Sequence, residues 1–133
     1  MGMSRSQLTV SILPEHLAIC RLDATAPVPV WAEQGTFVSV TRTREELTVI
    51  CPEDRIAPEV EASRNWRAFK LQGPFDLDLV GLLVSVAAPL AQAGVSVLPI
   101  GTYDTDYLLV RQTQLEPAIR ALRFIGIEVQ EPA

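Results

Sequence analysis

The chain has 133 residues, of which 48% are hydrophobic, and its formal net charge is −5. This length fits one ordinary domain or two very small ones, and the hydrophobic content is enough to bury a core, which argues against disorder. The eleven basic residues are scattered, which argues against a nucleic-acid partner because phosphate binding needs a basic face. No signal peptide is recognisable and no apolar run approaches the ~20 residues of a membrane span, so we expect a cytoplasmic protein with no membrane partner.

Short strands separated by turns are predicted for the N-terminal half. Cys20 lies in the run LAICRL and Cys51 in the run LTVICP, and both runs are apolar and strand-like. We therefore expect two buried free thiols, since a disulfide is not needed at this size. Residues 37–40 and 47–50 predict two further strands joined by a polar turn.

A strand followed by a helix opens the C-terminal half. Residues 66–72 mix aromatic, apolar and polar side chains and end at a Gly-Pro pair, which favours a strand. Residues 73–93 predict a helix with Gly94 as its C-terminal stop. Pro89 removes a backbone hydrogen bond inside that helix, so we expect a kink or a displaced last turn. The predicted apolar face comprises Leu79, Leu83, Val86 and Leu90, widened by Val80, Ala87 and Ala91.

Two strands and a second helix complete this half. Residues 95–102 and 107–111 predict strands joined by a polar turn, and residues 113–125 predict an amphipathic helix that ends at Gly126. Residues 127–129 offer a last short strand. The order is βαββαβ, the ferredoxin-like arrangement of an α+β fold, in which two helices cover one face of an antiparallel sheet.

A weaker copy of this order is visible in the N-terminal half, at an offset of about 60 residues. The strand–turn–strand over 37–40 and 47–50 mirrors the later pair, and residues 53–63 occupy the place of the second helix. The first helix is not repeated, because two prolines lie where it should run. We therefore predict tandem ferredoxin-like modules at residues 1–63 and 64–133, the first degraded. A single larger α+β domain with a coincidental hairpin echo is the alternative.

Charged residues flank the start of the first predicted helix and the later polar turn. Asp76 and Asp78 lie just ahead of the helical apolar pattern, where their simplest role is to cap the free N–H groups of the helix, and Gly81 permits close approach of a packed backbone or of a ligand. Asp104 and Asp106 are most simply interpreted as part of a solvated turn. However, a helix N-terminus attracts a carboxylate and aspartates attract an ammonium, so together they suit a zwitterion such as an amino acid.

No catalytic or metal-binding pattern is found in the sequence. His16 is the sole histidine, and no serine or cysteine lies in a strained elbow, so no nucleophile–base pair is identifiable. We expect a protein that is not an enzyme and needs no cofactor. Asp104 and Asp106 are spaced like a metal-binding pair, but no third oxygen ligand is near them in sequence, so no metal is expected.

The stretch over residues 73–110 resembles the ACT domain of tandem-ACT, amino-acid-sensing proteins of the CASTOR-like type. The shared pattern is a Gly-Pro corner, a glycine in the first turn of the helix, Pro-Leu-Ala, Ala-Gly-hydrophobic-Ser and a polar Thr-Tyr-Asp-Thr-Asp turn. The tandem arrangement extends the resemblance loosely over the rest of the chain. The resemblance implies tandem ACT modules and a small regulatory sensor that binds a free amino acid at the ACT-domain interface.

The resemblance also implies which residues contact the ligand, with Asp106 engaging its amino group. A structural or oligomerising ACT-like protein with no ligand is the alternative function, and a regulated protein partner is not identified. Few blocking charges lie on the predicted strands 66–72 and 95–102, so we expect a homodimer. The implied ligand-binding residues are Gly73, Pro74, Phe75, Asp76, Leu77, Gly81, Leu82, Thr102, Tyr103, Asp104, Thr105 and Asp106.

Overall fold

The computed structural model of the chain describes residues 8–75 and 80–132, which fall into two compact units. One unit is Glu15–Trp66, and the other combines the residues up to Pro14 with those from Arg67 onward. None of the helices formed by the described residues is long and apolar enough to cross a membrane. The strands are β1 Thr9–Ile12, β2 Leu17–Leu22, β3 Ser39–Arg42, β4 Leu47–Pro52, β5 Ala62–Leu71, β6 Leu98–Gly101, β7 Asp106–Arg111 and β8 Glu128–Gln130, and the α-helices are α1 Leu82–Gln92 and α2 Leu115–Phe124.

The N-terminal unit, Glu15–Trp66, is built from antiparallel strands around a small core. β2 lies between β4 and the first half of β5, and β3 pairs with the other side of β4. Cys20 and Cys51 are both buried in this core and free, as the sequence predicted. The hydrogen bond between the two thiols raises the pKa of Cys51 and lowers the pKa of Cys20.

The helix predicted at residues 53–63 is wrong. Only Glu53–Arg55 forms a short 3-10 helix, and the chain enters β5 at Ala62. Pro52 and Pro58 leave too few residues between them for a stable α-helix, because each proline removes a backbone donor and short helices are marginal. The N-terminal unit therefore contains no α-helix, and this whole unit lies within the described residues.

The C-terminal unit confirms the predicted βαββαβ order and the ferredoxin-like α+β class. From β5 the chain runs through α1, β6, β7 and α2 to β8, and β7 pairs with both β5 and β6. The two helices bury their apolar faces against the sheet, which fills the main core of this unit. Fully or almost fully buried members of that core include Phe69, Leu71, Val86, Leu90, Leu108, Val110, Ala118, Ile119 and Leu122.

Strand β1 lies in the C-terminal unit although it comes from the start of the chain. Val10 is opposite Leu71 in an antiparallel ladder with β5, and opposite Val129 in a parallel ladder with β8. The sheet of this unit is therefore not wholly antiparallel, and the two units do not coincide with the predicted modules 1–63 and 64–133. The physical reason is burial: the exposed fractions of Leu8, Val10 and Ile12 are only 2%, 0% and 4%.

Helix α1 is shorter than predicted. It begins at Leu82, with Gly81 as its N-cap, and continues through Pro89 to Gln92. Val80 precedes the helix and is 86% exposed, so its assignment to the apolar face is wrong. The predicted face member Leu79 and the predicted caps Asp76 and Asp78 lie outside the described residues.

Val10→Ala tests the placement of β1. We expect the free energy of unfolding to fall by about 2–3 kcal/mol, because each lost buried carbon contributes about 0.8 kcal/mol and a residual cavity adds to that loss. Chemical denaturation measures the change. Val40→Ala is the matched control, since Val40 is 43% exposed on β3, and it should change the value by no more than about 0.5 kcal/mol. Equal effects of the two variants would contradict a buried β1.

Candidate functional site

The turn between β6 and β7, taken together with the first residue of β7 as residues 102–106, is closed by hydrogen bonds between two threonines. The Thr102 N–H donates to the Thr105 carbonyl at 2.8 Å, and the Thr102 hydroxyl donates to the same oxygen at 2.9 Å. The Thr105 N–H in turn donates to the Thr102 hydroxyl oxygen at 3.3 Å. This turn, hereafter the acidic turn, therefore holds Asp104 and Asp106 on a fixed backbone.

Two further hydrogen bonds attach the acidic turn to the end of β5 and the corner that follows. The buried Thr105 hydroxyl donates to the Leu71 carbonyl at 2.7 Å, and the Phe75 N–H donates to the Asp104 carbonyl at 2.8 Å. At Gly73 an added Cβ would lie 2.9 Å from the Phe75 ring and 3.1 Å from the Asp104 carbonyl oxygen. Gly73 therefore lets the corner approach the turn closely.

At the start of α1 the N-cap residue provides no side-chain cap for the first backbone N–H groups. Gly81 takes the N-cap position with φ 84°, in the left-handed region that favours glycine, and it has no side chain with which to cap the helix. The first N–H groups of an α-helix have no intrahelical partner, and here they belong to Leu82, Leu83 and Val84. These donors carry the positive end of the helix dipole, which attracts an anion.

A cavity of about 280 Å³ lies between this helix start and the acidic turn. Its volume is close to the lower end of the ~300–1,000 Å³ found for small-molecule sites, which suits a ligand of amino-acid size. Two exposed side chains, Val84 and Tyr103, are among those lining it. The described lining residues are Phe75, Gly81, Leu82, Leu83, Val84, Gly101, Thr102, Tyr103, Asp104, Thr105 and Asp106.

Charge in this cavity is divided between its two sides. Asp104 and Asp106 face it from the acidic turn, and the helix N-terminus provides positive potential opposite them. No lysine or arginine is among the described lining residues. Across residues 8–75 and 80–132 there is also no cluster of three or more side chains able to hold a metal ion. The arrangement can therefore bind a molecule that carries both an anionic and a cationic group.

Eight of the twelve ligand-binding residues predicted from the sequence line this cavity: Phe75, Gly81, Leu82, Thr102, Tyr103, Asp104, Thr105 and Asp106. Gly73 and Pro74 line a separate hollow of about 140 Å³ together with Lys70, Asp104 and Thr105. Asp76 and Leu77 lie outside the described residues.

Leu83, Val84 and Gly101 also line the cavity, although they were not predicted from the sequence as ligand-binding residues. Leu83 and Val84 would have been identified if the first residue of the helix had been predicted correctly. A helix that begins at Leu82 presents the N–H groups of the next two residues as well. Gly101 could have been identified by assigning the register of the predicted hairpin, because it is paired with Asp106 across β6 and β7.

A second hollow, of about 250 Å³, lies in the N-terminal unit and is lined by Glu15, His16, Pro52, Glu53 and Asp54. Its carboxylates already have protein partners. Glu15 accepts the backbone N–H of Thr36 at 2.8 Å, and Glu53 accepts the backbone N–H of Asn65 at 2.9 Å. His16 Nδ1 lies 2.7 Å from the Asn65 side-chain oxygen. These contacts give the polar groups a structural role, so the cavity beside α1 is the stronger candidate site.

Known protein families match both parts of the chain. Residues 61–123 match the family model of the ACT domain, and residues 15–59 match a family model described as an N-terminal domain. The ACT match includes β5, α1, β6, β7 and nearly all of α2, and therefore all described residues of the cavity.

Individual relatives agree with this assignment. The chain is 34% identical over 97 residues to the cytosolic arginine sensor for mTORC1 subunit 1 of Bos taurus, a match that covers 65% of this chain but only 30% of the sensor. A protein from Agrobacterium tumefaciens with a known crystal structure is 38% identical in sequence to this chain. The two structures align with a TM-score of 0.89 over 95% of this chain and 94% of that protein. Aspartate kinase of Clostridium acetobutylicum shares the fold at 8% identity, with a TM-score of 0.64 and coverage of 90% of this chain and 34% of the kinase. The fold and these matches confirm the resemblance found in the sequence, and residues 61–123 of the chain belong to the ACT-domain family.

Proposed function

We propose that this protein is a small regulatory sensor that binds a free amino acid in the cavity between the start of α1 and the acidic turn. The main observation in support is that groups of opposite charge line the same cavity of about 280 Å³. Helix N–H groups lie on one side of it and two aspartates lie on the other. A free amino acid has the complementary pair of charges. The described lining lies entirely in the C-terminal unit.

The ligand carboxylate faces the N–H groups of Leu82, Leu83 and Val84. A carboxylate at a helix N-terminus accepts several backbone hydrogen bonds at once and is stabilised by the helix dipole. Gly81 leaves this approach open on the side of the described residues, because an added Cβ there would meet none of their atoms within 4 Å. The ligand carboxylate thus takes the place of a capping side chain.

The ligand ammonium faces Asp106, with Asp104 close by on the same turn. Asp106 is half-buried at the first position of β7, whereas Asp104 is exposed within the turn. A hydrogen bond between an ammonium and a carboxylate is charge-assisted and gains strength when it is partly shielded from water. Asp106 is therefore the main ammonium ligand.

The second carboxylate favours an amino acid with a cationic side chain. One aspartate is enough to balance the α-ammonium, and the described lining of the cavity holds no basic residue, the nearby Lys70 lining the separate hollow with Asp104. The relative named as an arginine sensor is 34% identical over the matched stretch, so arginine is the first candidate ligand. Binding at an ACT-domain interface, a homodimer and a regulated protein partner all stay predictions.

A thermal-shift screen of the twenty amino acids tests the proposal. A ligand at 100 times its Kd stabilises the folded protein by about 2.7 kcal/mol, so arginine should raise the melting temperature measurably. Agmatine, which lacks the carboxylate, and 5-guanidinopentanoate, which lacks the α-ammonium, are the controls and should give much smaller shifts. No shift with any of the twenty would argue against a sensor and for the structural alternative.

Asp106→Asn tests the ammonium contact. Loss of the charged acceptor should weaken the binding of arginine by roughly tenfold to a hundredfold, which corresponds to about 1.5–3 kcal/mol for a hydrogen bond to a charged group. Isothermal titration calorimetry measures the affinity. Asp54→Asn makes the same change of net charge in the N-terminal unit and should leave the affinity unchanged. A parent-like affinity of Asp106→Asn would place the ammonium elsewhere.

Gly81→Val tests the carboxylate contact. The valine side chain should occupy the approach to the N–H groups and abolish binding of arginine, at a conformational cost of about 1–3 kcal/mol for a branched residue in the left-handed region. Gly94→Val is a matched control, since Gly94 also has a positive φ of 78° and no described atom within 4 Å of an added Cβ. Calorimetry should therefore show normal affinity for Gly94→Val and none for Gly81→Val. Equal losses in both would indicate destabilisation rather than a blocked site.

A further inference from the structure

Gly101 occupies a strand position that does not require glycine. It is the last residue of β6, paired with Asp106 at the start of β7, and its φ lies outside the left-handed region. Glycine inside a strand is unfavourable, because it has no side chain to pack and loses more conformational freedom on folding than other residues. The backbone of β6 therefore gives no reason for glycine here, and the reason lies in what surrounds it.

The neighbour that a side chain at Gly101 would meet is the Asp106 carboxylate. An added Cβ would lie 3.3 Å from Asp106 Oδ1, and no other heavy atom of the described residues, its chain neighbours aside, lies within 4 Å. This separation is tighter than an ordinary carbon–oxygen contact, so one of the two groups would have to move. The carboxylate of Asp106 thus lies across the face of Gly101, beside the cavity that both residues line.

We propose that Gly101 is a positioning residue for Asp106: by having no side chain, it leaves the space in which the carboxylate lies at the edge of the cavity. The inference rests on the proposed function, in which Asp106 binds the ligand ammonium. Gly101 itself needs no contact with the ligand, since its effect passes through the carboxylate.

Gly101 differs in this respect from Gly73, whose added Cβ would meet backbone atoms. At Gly73 the neighbours include the Phe75 nitrogen at 3.0 Å and the Asp104 carbonyl oxygen at 3.1 Å, so a side chain there would displace the chain. At Gly101 the only group of the described part of the chain that must move is the end of a side chain, which rotates at small cost. Gly101→Ala should therefore fold normally and move the Asp106 carboxylate by a few tenths of an ångström.

The first arm of the experiment needs no ligand. In the unliganded protein, NMR measures the ¹³Cγ chemical shift of Asp106 and the couplings that report its χ1 angle. Gly101→Ala should change both values, whereas Pro99→Ala, an exposed position on the same strand, should leave them as in the parent. Unchanged Asp106 signals in Gly101→Ala would overturn the proposal.

The second arm is a double-mutant cycle with L-arginine as the probe. Gly101→Ala should weaken binding by about three- to tenfold when Asp106 is present, which is less than the loss of a full charged hydrogen bond. It should have no effect in the Asp106→Ala background, because the carboxylate that it moves is then absent. An equal loss in both backgrounds would overturn the positioning role. If the parent does not bind arginine, it is the choice of ligand in the proposed function that fails, and the NMR arm decides the role of Gly101.

Discussion

The insertion of β1 between β5 and β8 is the constraint on which the C-terminal unit depends. Its residues complete the core against which α1 and α2 pack, and its two ladders use edges that β5 and β8 would otherwise leave unpaired. The position of β5 in turn fixes the acidic turn, because Thr105 is hydrogen-bonded to the Leu71 carbonyl at the end of that strand. The geometry of the candidate site is thus set by sheet pairing rather than by the loops alone.

Local patterns were sufficient to predict most elements of the C-terminal unit. Helical spacing identified α1 and α2, and β-branched and apolar runs identified β6 and β7, because these signals depend on residues near one another in sequence. The partner of β1 could not be predicted in this way, since it depends on which core buries Val10. The helix prediction for residues 53–63 failed for the opposite reason. It relied on an assumed repeat, although Pro52 and Pro58 were visible in the sequence and argued against a helix.

The charges of the candidate site could also be predicted, but its supporting contacts could not. Asp104, Asp106 and the start of α1 are marked by residue type and by position next to a helix or strand. The packing of Gly73 under the acidic turn and of Gly101 under a carboxylate depends on distances between segments that are remote from each other until the hairpin and the corner have formed. The sequence therefore shows where the glycines are, but it does not show which residues pack against them in the folded protein.

The parallel ladder between β1 and β8 also bears on how the chain folds during synthesis. Ser11 and Gln130, which are hydrogen-bonded through their side chains, are 119 positions apart, and the whole N-terminal unit lies between them in sequence. Glu15–Trp66 can leave the ribosome and form its own strand pairs while β1 still lacks both of its partners. Contacts of such long range are formed slowly, because a large loop has to close first. The cavity beside α1 therefore belongs to a unit that is completed after the N-terminal unit.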